Sequence, residues 1–134
     1  MYREIIMEHY KHPRNKGLVD KEGYNKHRIK NPSCGDDITI QSKVEDGIVK
    51  DIRQDGSGCS ICCASASVLT EKLKGMDVSE AEHFADAYLD LVAGNSYDES
   101  LDFGESKVFE GVRKFPSRIK CASIPWKAFK KTIE

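Results

Sequence analysis

The sequence predicts an α+β fold, a three-stranded, mainly antiparallel sheet packed against helices. Two observations predict it. Apolar and polar residues alternate through two adjacent short segments joined by Asp46-Gly47, the pattern of an antiparallel hairpin. Away from these segments the apolar spacing changes to three and four residues, the period of a helix with one buried face. The 134 residues suit a single domain, 1–134, with a modest core. There is no internal repeat, low-complexity stretch or linker.

Residues 2–11 place Tyr2, Ile5, Ile6 and Tyr10 at helical spacing, and Pro13 ends that helix near His12. Residues 24–30 form a weak strand pattern. Residues 37–44 form a better one, with Ile38, Ile40 and Val44 on one face and Thr39, Gln41 and Lys43 on the other. Residues 48–54 return after the turn, with Ile48 and Ile52 sharing a face. The small-residue segment 60–74 reads as a helix stopped by Gly75. Ser79-Glu80-Ala81-Glu82 has the spacing of a capping box and opens a third helix. Its stripe is Ala81, Phe84, Ala85, Tyr88 and Val92, and Gly94 closes it. Residues 94–104 read as a loop and 105–114 as a short helix broken by Pro116. Trp126, Phe129 and Ile133 mark a last helix. Because proline fits only a helix's first turn, Pro125 places its start near Ala122 or Ser123, just after Cys121.

Hydrophobic residues at 39% and charged residues at 32% suit a globular chain. A formal net charge of −1 offers no basic surplus for nucleic acid. No apolar run reaches membrane-spanning length. The opening Met1-Tyr2-Arg3-Glu4 is charged and has no signal-peptide core, so the expected location is the cytoplasm. Five cysteines, an odd number, argue against a disulfide framework in a reducing compartment. Metal binding, thiol chemistry or simple burial as small apolar side chains remain open for them.

Cys34 lies in the turn-forming stretch Asn31-Pro32-Ser33-Cys34-Gly35-Asp36. Cys59 follows Gly56-Ser57-Gly58 and opens a helix, and Cys121 is expected just before another. Helix N-termini lower thiol pKa values, and Arg118 and Lys120 add positive charge beside Cys121. These three thiols with Asp36 can make a Cys₃Asp tetrahedron for zinc.

Several segments carry a resemblance to a known family. His9-Tyr10-Lys11-His12-Pro13-Arg14-Asn15 resembles the opening of the IscU family, and Asn31 to Asp36 resembles its first cysteine motif. Gly56-Ser57-Gly58-Cys59-Ser60, with Ala64-Ser65-Ala66-Ser67, resembles the second. Arg118-Ile119-Lys120-Cys121-Ala122, followed by Trp126, resembles the third. The long segment between Cys59 and Cys121, and Lys120 where IscU proteins have histidine, are more similar to the SufU branch. The resemblance implies an IscU/SufE-like fold and a role in iron–sulfur cluster assembly. It implies metal or cluster ligands Cys34, Asp36, Cys59 and Cys121. A charged lysine is a poor ligand, which leaves the fourth position to Asp36 rather than residue 120. For SufU-like proteins it implies zinc, a cysteine desulfurase of the SufS/IscS kind as partner, and Cys34 as the thiol that receives persulfide sulfur. For IscU-like proteins it implies Cys121 as acceptor, a [2Fe-2S] cluster as cargo, and iron–sulfur acceptor proteins as further partners.

Cys62-Cys63 departs from the family pattern. Packing is the first reading, and a supplementary cluster or redox ligand, from the Cys59-x-x-Cys62 spacing, is the second. His9 and His12 read as packed or solvated, and His27 and His83 as structural or exposed. The glycine-rich loop lacks the P-loop lysine and is better explained by positioning Cys59. Lys127, Lys130 and Lys131 read as a solvated face. A structural-zinc module and an interaction domain with buried thiols are the competing functional classes, and nothing points to hydrolysis or hydride transfer.

Overall fold

Alternation and turn chemistry build the sheet first. β1 (Tyr24–Asn31), β2 (Asp36–Glu45) and β3 (Ile48–Ser57) form an antiparallel sheet in the order β1-β2-β3. Asp46 and Gly47 both adopt positive φ, 53° and 75°, as a tight hairpin turn of this hand requires. The computed structural model describes residues 2–134 without the side chain of Tyr2. The expectations that involve Met1 and the Tyr2 side chain therefore lie outside the described residues.

The hairpin is not regular. Lys43 pairs with Asp51 and Val44 with Val49, so Lys50 is an extra residue on β3. This bulge reverses the inside–outside parity. Val49 and Ile52 are fully buried, whereas Ile48 is half-buried and Val44 is exposed. The expected pairing of Ile48 with Ile52, and the inward placement of Val44, are corrected by that one inserted residue.

The helices cover one face of the sheet. α1 (Tyr2–Lys11) packs on α2 (Ser60–Leu73), which lies against β3 and against α4 (Pro116–Thr132). α4 crosses β1 and β2, and α3 (Val78–Ala93) packs on α4 and on a 3₁₀ helix over Gly104–Lys114. The core sits between these layers. Ile38, Ile40 and Ile52 share one buried cluster with Leu69, Phe129 and Trp126, and the Trp126 ring stacks on Tyr88 at 3.9 Å between centroids.

Two helix starts differ from the sequence reading. α3 begins at Val78, and Asp77 rather than Ser79 is its cap, accepting the Ser79 N–H at 2.8 Å. Its end is the expected one: Gly94 has φ 82°, and its N–H reaches the carbonyls of Asp90 and Leu91. α4 begins six residues earlier than expected, with Pro116 in its first turn and Pro125 inside it. Pro116 thus opens a helix as well as ending the one before it. Interior Pro125 has no N–H to give to the carbonyl of Cys121. The helix continues through it because Ala122, Trp126 and Phe129 are all fully buried, and their packing outweighs one lost hydrogen bond.

Candidate metal centre

Three chain segments meet at one end of the sheet. The β1–β2 connection supplies Cys34 and Asp36, the β3–α2 junction supplies Cys59, and the second turn of α4 supplies Cys121. The Sγ atoms of Cys34 and Cys121 and a carboxylate oxygen of Asp36 all lie within 4.8 Å of one another. Donors around a tetrahedral zinc with bonds of about 2.3 Å stand about 3.8 Å apart. Small side-chain rotations therefore bring this trio to ligating distances, and two thiols with a carboxylate are a donor set that zinc accepts.

Asp36 is held in place beside the two thiols. It is 2% exposed, and its Oδ1 accepts the backbone N–H of Cys59 at 2.9 Å. Oδ2 faces the Asn31 amide at 3.4 Å, and Asn31 in turn accepts the Ser33 hydroxyl at 2.7 Å. Each carboxylate oxygen keeps a free lone pair for a cation. Cys59 is tied to the group through its N–H, although its thiol stands outside the trio. Cys34 is half-buried in a turn closed by its own N–H on the Asn31 carbonyl at 3.2 Å, followed by Gly35 with φ 71°.

The glycines before Cys59 have a geometric reason. A Cβ on Gly56 would lie 2.0 Å from the Asp37 carbonyl oxygen, and a Cβ on Gly58 would lie 2.4 Å from Asp36 Oδ1. The loop can pass this close to β2 only without side chains.

Cys121 differs from the sequence reading. It lies inside α4, fully buried, so no helix N-terminus activates it. Burial first, then its contacts with Asp36 and Cys59, push its thiol well above the ordinary value. Arg118 does face the site. The Cys59 and Cys121 sulfurs raise its guanidinium pKa, but its charge does not overcome the burial of Cys121.

Cys62 is fully buried on the core side of α2, and burial raises its thiol steeply. Cys63 is half-buried, with Sγ 3.6 Å from the Gly58 carbonyl oxygen. Among the histidines, His9 is fully buried between Ser67 Oγ at 2.7 Å and Glu105 Oε1 at 2.9 Å. Both ring nitrogens are partnered, which is the packed reading, while Glu71 completes a second group of potential donors there. His12 is exposed, and exposed His83 pairs with Asp98. Lys130 pairs with Asp86 and Lys131 with Glu134, while Lys127 faces solvent. Asn31 and Gly58, which position Asp36, were not legible as site residues. The only sequence signal for either was its place inside a cysteine motif.

No helix of the described residues is long and apolar enough to cross a membrane. The family profile described as NifU-like N terminal domain matches residues 1–122. A Bacillus subtilis protein named zinc-dependent sulfurtransferase SufU is 43% identical over 99% of this chain and 89% of its own length. A Streptococcus pyogenes protein named iron-sulfur cluster assembly scaffold protein IscU is 34% identical over 100% of this chain and 83% of its own. A crystal structure from Fervidobacterium islandicum, described as a putative iron-sulfur cluster assembly scaffold protein for the SUF system, superposes with a TM-score of 0.87. It is 28% identical and covers 98% of this chain and 95% of its own.

Proposed function

The chain belongs to the NifU-like N-terminal domain family, and from that premise we propose a zinc-dependent sulfur acceptor for iron–sulfur cluster assembly. It works as a single domain, 1–134, in the cytoplasm and takes persulfide sulfur from a cysteine desulfurase of the SufS/IscS kind. The observation that carries this reading is the convergence of Cys34, Asp36 and Cys121 from three separate segments, with the Cys59 N–H bonded to Asp36.

In this reading Cys34, Asp36, Cys59 and Cys121 hold the metal. Bound zinc keeps its thiolate ligands deprotonated and protected. The chain's own residues divide the remaining work. Asp36, fixed on both oxygens, holds its place while neighbouring thiols exchange. Cys121, buried in α4, is a fixed donor. Cys34 sits in a short turn that can swing outward, the place for a reacting thiol. Its thiolate attacks the outer sulfur of the desulfurase persulfide. The S–S bond of that persulfide breaks, a Cys34 persulfide forms, and the desulfurase cysteine leaves as thiolate.

The second reading is a scaffold carrying a [2Fe-2S] cluster toward iron–sulfur acceptor proteins. It is favoured by the extra sulfur of Cys62 and Cys63 beneath the site and by the likeness to the IscU-named relative. Metal and acid-labile sulfide analysis of anaerobically purified protein separates the two. Zinc without sulfide, together with stimulation of the desulfurase, is the expected result. Iron and sulfide in equal amounts would establish the scaffold.

A further inference from the structure

We propose that Cys59 and Cys63 form a reversible disulfide, a thiol-modification site at the start of α2. The disulfide stands on this chain's own geometry, while its consequence for a metal rests on the function proposed above.

Cys59 occupies the N-cap of α2 with extended backbone, φ −68° and ψ 163°, and makes no side-chain cap hydrogen bond. Its thiol is therefore not committed to the helix end. The Cys63 N–H reaches the Cys59 carbonyl at 3.1 Å, which places the two residues one helical turn apart. Side chains on a helix lean toward its N-terminus, so a residue one turn further on covers the earlier one. Cys63 does this: its Sγ lies 3.6 Å from the carbonyl oxygen of Gly58, the peptide that enters Cys59. One-turn neighbours have Cβ atoms about 5–6 Å apart, and disulfides need about 3.5–4.5 Å. The N-cap residue, outside the regular helix, can turn to close that gap.

Access and place in the chain together single out this pair. Cys34, Cys59 and Cys63 are half-buried, whereas Cys62 and Cys121 are fully buried, and Cys34 belongs to the β1–β2 connection rather than to the start of α2. Cys62 would have to leave the core to reach Cys59. Cys63 stays where it is.

The step balances with a peroxide as oxidant. Cys59 attacks one peroxide oxygen and displaces hydroxide, giving a sulfenic acid. The Cys63 thiol then displaces water from that sulfur and the S–S bond forms. In sum, two thiols and one hydrogen peroxide give one disulfide and two waters. A dithiol reductant reverses it by exchange. The disulfide withdraws Cys59 from the donor set, so oxidation releases a metal held there.

The test treats the full-length protein as purified with one equivalent of hydrogen peroxide. Free thiols are then alkylated, the peptide containing residues 59–63 is analysed by mass spectrometry, and zinc release is followed with a chromogenic chelator. The expected result is loss of two alkylation sites on that peptide, with zinc released in step. Cys62→Ala should keep the disulfide, and both Cys63→Ala and Cys63→Ser should abolish it. A disulfide that persists in the Cys63 variants, one that joins Cys59 to Cys34 or Cys121, or none at all would overturn the proposal. Protein that is purified without zinc and still forms the disulfide would leave this inference standing and count against the zinc-dependent function.

Discussion

Replacing Gly58 with alanine puts a methyl carbon 2.4 Å from Asp36 Oδ1 and 3.0 Å from Asp36 Cα. Non-bonded heavy atoms settle at about 3.5–4 Å, so the overlap with the carboxylate exceeds about 1 Å. The carboxylate can rotate, but Asp36 Cα belongs to β2 and cannot yield as easily. Overpacking of this kind costs about 1–3 kcal/mol. Rotation of the carboxylate also breaks its bond from the Cys59 N–H, and a hydrogen bond to a charged group contributes about 1.5–3 kcal/mol. The expected loss is therefore about 2.5–6 kcal/mol, a large share of a small domain's stability. Urea unfolding of Gly58→Ala, with zinc content measured on the same preparation, reads both consequences. Gly111→Ala is the control, because a Cβ there meets nothing within 4 Å. It should change stability by no more than about 1 kcal/mol. A Gly58→Ala protein with the wild-type unfolding midpoint and wild-type zinc retention would refute this account of the loop.

Three further outcomes test other contacts of the fold and the site. Asp36→Ala removes a hard carboxylate donor and leaves softer thiolates, so metal-release kinetics should change; unchanged kinetics would argue against ligation by Asp36. Ser65→Ala strands the Trp126 indole N–H, which donates to Ser65 Oγ at 3.0 Å in the core, and should cost about 1–3 kcal/mol in urea unfolding. For Asp51, burial acts upward, but hydrogen bonds from Tyr24 and Lys74 outweigh it and hold the carboxyl below its ordinary range. A depressed carboxyl stabilises the fold above the unfolded value of about 3.9, and that share is lost as pH falls through the lower folded value. Asp51→Asn should thus be less stable than wild type near neutrality, with the gap closing in acid. A gap independent of pH would contradict this assignment.

Much of the fold was legible because local signals agreed with the tertiary result. Asp46-Gly47, Gly94 and the Ala81–Val92 stripe each specify a local geometry that the packed domain keeps. The misses have local causes as well. Lys50 bears no mark of a bulge, since an inserted lysine reads like any polar strand residue, yet it reverses Ile48 and Val44. Pro125 misplaced the start of α4 because propensity treats proline as a helix boundary, whereas buried Trp126 and Phe129 carry the helix through it. That error also placed Cys121 at an activating helix end, whereas it lies in the buried second turn of α4. The cysteine motifs named candidate ligands, but their convergence depends on how β1–β2, β3–α2 and α4 meet. That is tertiary information which no spacing within one segment contains.

In the proposed function Cys34 is the thiol that first receives sulfur, while Cys59 and Cys121 stay as donors. The direct measurement mixes the protein with its cysteine desulfurase and cysteine, traps persulfides by alkylation at short times, and maps them by mass spectrometry. Sulfur should reach Cys34 first, and Cys34→Ser should lose fast transfer. Sulfur arriving on Cys121 in Cys34→Ser at the wild-type rate would contradict that role for Cys34.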